Sequence, residues 1–505
     1  MGPNIPLLPE AMMPYSWLWG YFIPIGFLML AWGGLAPRRA RRLTPVAATA
    51  VALAVIGYWA VGFALHMGGA YPVTQNVSLE ALRAMLSLVP DNPGWGVVGL
   101  AGFFLSGDNI TPAIMGLFLA YLPLIATAVV LVTVALAQTR RWIMVLTGTL
   151  TGAVIVPVAA CWMWGSGWLS QLGATLGLGS GFVDFGGSAL VLWLPGMIVL
   201  PILLLQGHHP DSEEDPIPPS NYGPLISNIG ALLMGIGWLG WGLSQPFHVS
   251  GTAIDWYRAA TNVLLGMAGA VVTSQLYGWM ATGKPETLLS SLGLGAGWGA
   301  LLACSPFVPP WAALVIGLLA GLLFPLIHYV ANKKLRSHDA ATAVSLALTS
   351  GLPGVLGLGV LADGRWGQGW NGMGQGLSLE GAVVGPGVVG VFVAGNAQQL
   401  SAQLIGLLAL ALWGLLWGGI IGIIAGPKLL SSTSHRAKGT AGGKLSQETP
   451  VTDEIQADAR PEPTPQTGEA EGLTADDGTP NTLNAPSRAT EAEEIPALLS
   501  TSEGN

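Results

Sequence analysis

Apolar positions along this chain do not alternate with polar ones, and they do not return every three or four residues as on the face of a soluble helix. They gather into long unbroken runs. Runs near 16–36, 44–66, 110–137, 142–164, 184–206, 223–245, 259–282, 287–304, 311–331, 340–361 and 397–426 are separated by shorter polar stretches. A run of about 20 apolar residues, wound as a helix, crosses the roughly 30 Å hydrocarbon core of a bilayer. The pattern predicts an all-α integral membrane protein of about eleven transmembrane helices. A barrel would need strands of about ten residues with alternating polarity, whereas these runs are continuous and rich in Gly, Ala and Leu.

The polar stretches between the runs set the organisation. The histidine- and acid-containing segment 207–222 divides five spans from the next five. Because five is odd, the two halves must have opposite orientation, which predicts two inverted five-helix halves plus a final helix. Arg38, Arg39, Arg41, Arg42, Arg140, Arg141, Lys284, Lys333, Lys334 and Arg336 fall in alternate loops, and the other side holds Arg83, Arg258 and Arg365. The positive-inside rule then places the N-terminus outside and the C-terminus in the cytoplasm of a multi-pass cell-membrane protein. Trp17, Trp19, Trp162, Trp164, Trp256, Trp311 and Trp370 lie near span ends and are expected to form interfacial belts.

Composition sharpens this picture. Hydrophobic residues make up 51% of the chain and charged ones 9%, against roughly 25% charged in an ordinary soluble domain. The net charge of −8 belongs entirely to residues 431–505, which hold 13 acidic and five basic side chains. The expected domains are therefore a membrane domain over 1–430 and a disordered acidic cytoplasmic tail over 431–505, too poor in apolar residues to offset its ordering entropy. No basic cluster offers a nucleic-acid footprint, so lipids are the expected surroundings and nucleic acid is excluded as a partner. Residues 1–15 lack a basic n-region and contain Glu10, so they do not read as a cleaved signal peptide.

Candidate chemistry is sparse. Cys161 and Cys304 provide neither a disulfide framework nor a thiolate metal site, and read as small buried side chains. No zinc-protease helix, phosphate-binding loop or nucleophile elbow is present, so an enzyme is not expected and no cofactor is called for. Glycine-rich stretches at 175–182, 235–242 and 291–299 lie inside apolar runs, where small residues let helices approach closely. The seven histidines, His66, His208, His209, His248, His328, His338 and His435, place no two on one span at ligand spacing, so no metal centre is expected in the helix core. Asp108, Asp184 and Asp339 stand out because carboxylates at membrane depth are costly. Each lies at a predicted helix start, where it can accept from free backbone N–H groups, and capping is the expected role.

Several segments, in order, resemble the ammonium transporter family (Amt, Mep and Rh proteins). They are GYWAVGFALHMGG in the second span, TRRW after the third, WMWGSGW through VDFGGSALV in the fourth and fifth, NYGPLISNIGALLMGIGWLGWG in the sixth, GKPE after the seventh, PWAALVIGLLAG in the ninth and HDAATAVSL through GVLAD in the tenth. The resemblance implies a homotrimer with one path per protomer, carrying ammonium or ammonia. It implies an outer vestibule where an aromatic face attracts the cation, a gate, and a narrow apolar pore with two histidines. By this resemblance Trp164 is the vestibule tryptophan and Asp184 the aspartate supporting it. The gate positions fall on Leu124 and Trp241, the vestibule hydroxyl on Gln245, and the two pore histidines on Leu192 and Ala347. Such a pore centre is apolar and suits a neutral species. Polar candidates for a replacement relay are Gln245 and His328. The alternative is a non-conducting sensor or scaffold signalling through the acidic tail, whose partner the sequence does not name.

Overall fold

The computed structural model describes residues 13–426 apart from 36, 75, 76, 91, 108, 138, 207–220, 244–253, 336, 337, 374, 375 and 378–382. Each of the eleven apolar runs contains a helix. Nine are long and apolar enough to cross a membrane: α2 (Ala40–Met67), α3 (Pro112–Ala135), α4 (Arg141–Met163), α5 (Ser188–Gln206), α6 (Gly223–Gly242), α7 (Trp256–Thr282), α9 (Pro310–Leu335), α10 (Asp339–Leu361) and α11 (Gln398–Ile424). The remaining two runs form the shorter helices α1 (Phe22–Trp32) and α8 (Thr287–Leu301). The chain is thus a mostly helical, multi-pass membrane protein, with only two short antiparallel strand pairs among the described residues, Met85–Ser87 with Gly96–Gly99 and Gly376–Leu377 with Val383–Val384, in its loops. The proposed tail, 431–505, lies outside the described residues.

Helix ends follow local chemistry. Thr111 caps α3 by accepting from the Ile114 N–H at 3.3 Å, with Pro112 in the first turn where its missing N–H is harmless. Asp255 caps α7 through the Arg258 N–H at 3.1 Å, and Gly283 closes the same helix with φ +74°. Within the bundle α3 is the central element, with 89% of its apolar window buried, against 33% for α11. Around it α1 packs along α6, α7 along α8 and α9, and α11 along α5.

Four of the long helices are not uniform. Each contains a π turn, at Tyr58–Gly62 in α2, Thr151–Ile155 in α4, Ser188–Trp193 opening α5 and Ser350–Val355 in α10. The first two pack on each other, as do the last two. Glycine permits the contact. A Cβ on Gly57 would stand 2.5 Å from Ala153 Cβ, and one on Gly351 would stand 2.3 Å from Trp193 Cε3. A π turn inserts one residue and rotates everything beyond it by about 100°.

Two sequence expectations need correction. Residues 177–181 form no close-packed helix: Gly177, Gly179 and Gly181 all take positive φ in the irregular connection before α5. The stretches 235–242 and 291–299 do act as expected. A Cβ on Gly237 would lie 2.8 Å from the Ile23 nitrogen, and one on Gly297 would lie 2.4 Å from the Gly266 oxygen. Second, Trp162 and Trp370 are not interfacial belt residues. Both are buried, Trp162 donating to the Val97 carbonyl and Trp370 packing edge-on against Phe307. Loops fold back over these span ends, so the rings meet protein instead of headgroups. Trp19 and Trp311 are exposed as a belt requires.

Candidate conduction path

The connection between α4 and α5 carries the first candidate residues, and it is held by side chains far away in sequence. Gln399 on α11 accepts from the Ser180 N–H and donates to the Gly181 carbonyl. One turn later Gln403 accepts from the Val183 N–H at 2.8 Å and donates to the Val183 carbonyl at 2.7 Å. Asn371 donates to the Ser180 and Phe182 carbonyls. An irregular backbone inside an apolar bundle needs such partners, because neither helix nor sheet satisfies its polar groups.

Asp184 completes the clamp. Its Oδ1 accepts from the Gly187 N–H at 3.1 Å, and its Oδ2 from those of Ala189 at 2.9 Å and Leu190 at 3.0 Å. These are the free donors of the first turn of α5, so the carboxylate sits at the positive end of the helix. Gly187 has φ +96°, a conformation that a side chain would strain. Ser188 ties the same turn to α8, donating to the Gly299 carbonyl and accepting from the Ala303 N–H.

The backbone of Asp184 in turn fixes Trp164. The indole Nε1–H donates to the Asp184 carbonyl at 2.8 Å, and the half-buried ring stacks on Tyr121 of α3 with centroids 5.3 Å apart. Behind this pair His66 meets Tyr121 edge-on at 4.9 Å and lies 6.3 Å from Trp164. Its Nδ1 is hydrogen-bonded to Tyr58 Oη at 2.9 Å. An α-helix would leave Tyr58 and His66, eight residues apart, about 80° out of line; the π turn between them brings them onto one face.

The other sequence candidates divide. Trp241 is buried and donates to the Ala120 carbonyl at 2.6 Å, next to Tyr121; Leu124 is buried one turn further along α3. Leu192 and Ala347 are both fully buried, and each packs against a glycine. Leu192 Cδ1 lies 2.5 Å from where a Cβ on Gly299 would stand, and Ala347 Cβ lies 2.3 Å from the corresponding point on Gly196. Each side chain occupies the space vacated by a glycine on a neighbouring helix. Asp339 lies in the first turn of α10 and is buried. With Phe27, Leu131, Leu292, Thr342 and Leu346 it lines a small apolar cavity of about 30 Å³. His328 stacks on Phe324 and lies 3.3 Å from Thr342 Oγ1, near that cavity and not at the centre. Asp108 and Gln245 lie outside the described residues.

Among the described residues no group of three or more His, Cys, Asp or Glu could hold a metal ion. Cys161 and Cys304 are buried free thiols. Sequence reasoning passed over Tyr121 and His66. His66 lies in the GYWAVGFALHMGG segment but reads there only as a histidine without a ligand partner on its span, and only the packing of α2, α3 and α4 brings it and Tyr121 to Trp164.

The model of the Ammonium Transporter Family matches residues 11–434. Ammonium transporter Amt2 of Archaeoglobus fulgidus is 28% identical over 370 residues, which is 71% of this chain and 74% of that protein. The structure of a Sensor Amt Protein superposes with a TM-score of 0.61 at 18% identity, over 86% of this chain and 98% of that one. Saccharomyces cerevisiae Mep2 does so with a TM-score of 0.61 at 20% identity, over 83% and 88%. At those identities the superpositions speak for the fold, while the sequence match spans all eleven helices. The chain belongs to the ammonium transporter family.

Proposed function

We propose that this protein carries ammonium-derived nitrogen across the membrane, recruiting the cation at Trp164 and passing the neutral molecule through the apolar centre. The observation that carries this reading is the Tyr121–Trp164 stack, locked by the Asp184 carbonyl at the start of α5. A π face in a partly dehydrated vestibule attracts a small cation, worth about 2 kcal/mol where water is excluded. Beyond it, Val191, Leu192, Gly196 and Ala347 provide no polar side chain. Bare ammonium would there lose its hydration without compensation, and ammonia loses far less. The relatives point the same way, being named ammonium transporters.

In this reading Leu124 and Trp241 narrow the path below the vestibule, Gln245 borders it, and Asp108 and Asp339 cap helix starts. The N-terminus faces outward, the acidic C-terminal segment lies in the cytoplasm, and three copies assemble in the membrane. Purified protein in proteoliposomes tests the transport step. An ammonia-driven pH change without ammonium-dependent current is expected. A current would mean a proton path through the centre. Neither signal, relative to empty vesicles, would overturn transport in favour of a sensor, as the packing of Leu192 on Gly299 would then explain.

A further inference from the structure

His66 is fully buried, and its Nε2 has no hydrogen-bond partner among the described residues. A buried polar atom left unmatched is costly, and such exceptions call for an occupant or a role. The surroundings indicate the occupant. The imidazole borders the Tyr121 and Trp164 rings. Its main chain abuts the turn that carries Trp164: a Cβ on Gly165 would stand 2.0 Å from the His66 carbonyl oxygen, so only glycine allows this approach. Tyr58 holds the ring by its other nitrogen, and Tyr58 is itself fixed, stacked on Phe118 at 5.4 Å.

We propose that His66 Nε2 is the hydrogen-bonding contact for the nitrogen of the solute in the vestibule, a positioning residue supplied by α2. This deepens the transport reading and rests on it for the identity of the solute, a small amine with N–H groups. The two tautomers serve its two protonation states. When Nδ1–H is donated to Tyr58 Oη, Nε2 is bare and accepts from an ammonium N–H. When Tyr58 Oη–H is donated to Nδ1, Nε2–H is a donor to the lone pair of ammonia. The aromatic faces supply attraction to charge without direction; an imidazole nitrogen adds direction.

Methylammonium binding to the detergent-purified full chain by calorimetry, alongside uptake in proteoliposomes, tests this. His66→Phe keeps the ring volume and removes both nitrogens. It is expected to raise the dissociation constant and the half-saturating concentration about tenfold, with the maximal rate much less changed. His66→Gln restores a polar group near the Nε2 position and is expected to recover most of the loss. A packing role predicts the reverse order, with Phe tolerated and Gln harmful, and that result overturns the inference, as does unchanged half-saturation in a His66→Phe protein that elutes and melts like the wild type. Should His66→Phe fail to fold, Tyr58→Phe, which frees the imidazole from its anchor, must weaken binding for the inference to stand. Wild-type binding abolished in His66→Phe but without any flux would uphold the vestibule contact and overturn transport. Flux with no effect of either variant would do the opposite.

Discussion

Asp184 is a carboxylate at membrane depth whose presence is explained by what it accepts. Three backbone N–H groups converge on it within 3.1 Å, and its own carbonyl orients Trp164. Asp184→Ala leaves those buried donors unmatched and is expected to destabilise the protein by about 3 kcal/mol, read as a lower melting temperature in detergent. Asp184→Asn, which keeps one carbonyl oxygen, should fall between. An Ala variant melting with the wild type would mean that Gln399, Gln403 and Asn371 hold the segment without it. At Trp164 the expectation concerns function. Trp164→Leu removes the π face and should cut methylammonium uptake at low concentration by about tenfold, while saturating concentrations recover much of the rate. Capping was legible in the sequence because an aspartate before an apolar run has few other roles. That Asp184 holds Trp164 through its backbone carbonyl was not, since a main-chain atom leaves no trace in residue identities.

The helices themselves were legible as runs of apolar residues, but their internal geometry was not. A π turn adds one residue to a helix whose composition is unchanged, so the run around Tyr58–Gly62 reads the same with or without it. The consequence is a rotation that aligns Tyr58 with His66. Close approach between elements is the second feature hidden at this scale. Gly196 of α5 faces Ala347 of α10, with 2.3 Å between the Ala347 methyl and the place a Cβ would occupy. Gly196→Ala is therefore expected to destabilise the protein by about 1–3 kcal/mol, because two short, inflexible side chains cannot both fit. Ala347→Gly in the same chain should restore most of the loss. Additive effects of the two substitutions in thermal unfolding would show that α5 and α10 do not meet through this pair.

For the whole molecule, membership of the ammonium transporter family rests on a match that ends at residue 434. The proposed transport needs nothing beyond it. A chain ended at residue 434 is expected to move methylammonium into proteoliposomes at the wild-type rate, to within about twofold, as a solvated acidic segment would allow. Loss of uptake in a correctly assembled truncated protein would assign the tail a part in transport and strengthen the signalling alternative. The π turns of α5 and α10 pack together.

The apolar pattern alone established that this protein lives in a bilayer and, to within several residues, where its helices lie, and the order of segments established which family it resembles. Those properties follow from local composition, because the cost of putting polar backbone into hydrocarbon is settled one span at a time. Tertiary structure decided which side chains meet. It packed Leu192 and Ala347 against glycines, put Trp162 and Trp370 inside the protein, and gathered Tyr58, His66, Tyr121 and Trp164 from three helices. Which side chains meet depends on helix rotation and on approach distances of a few ångströms between distant segments, and a single chain's apolar pattern carries neither.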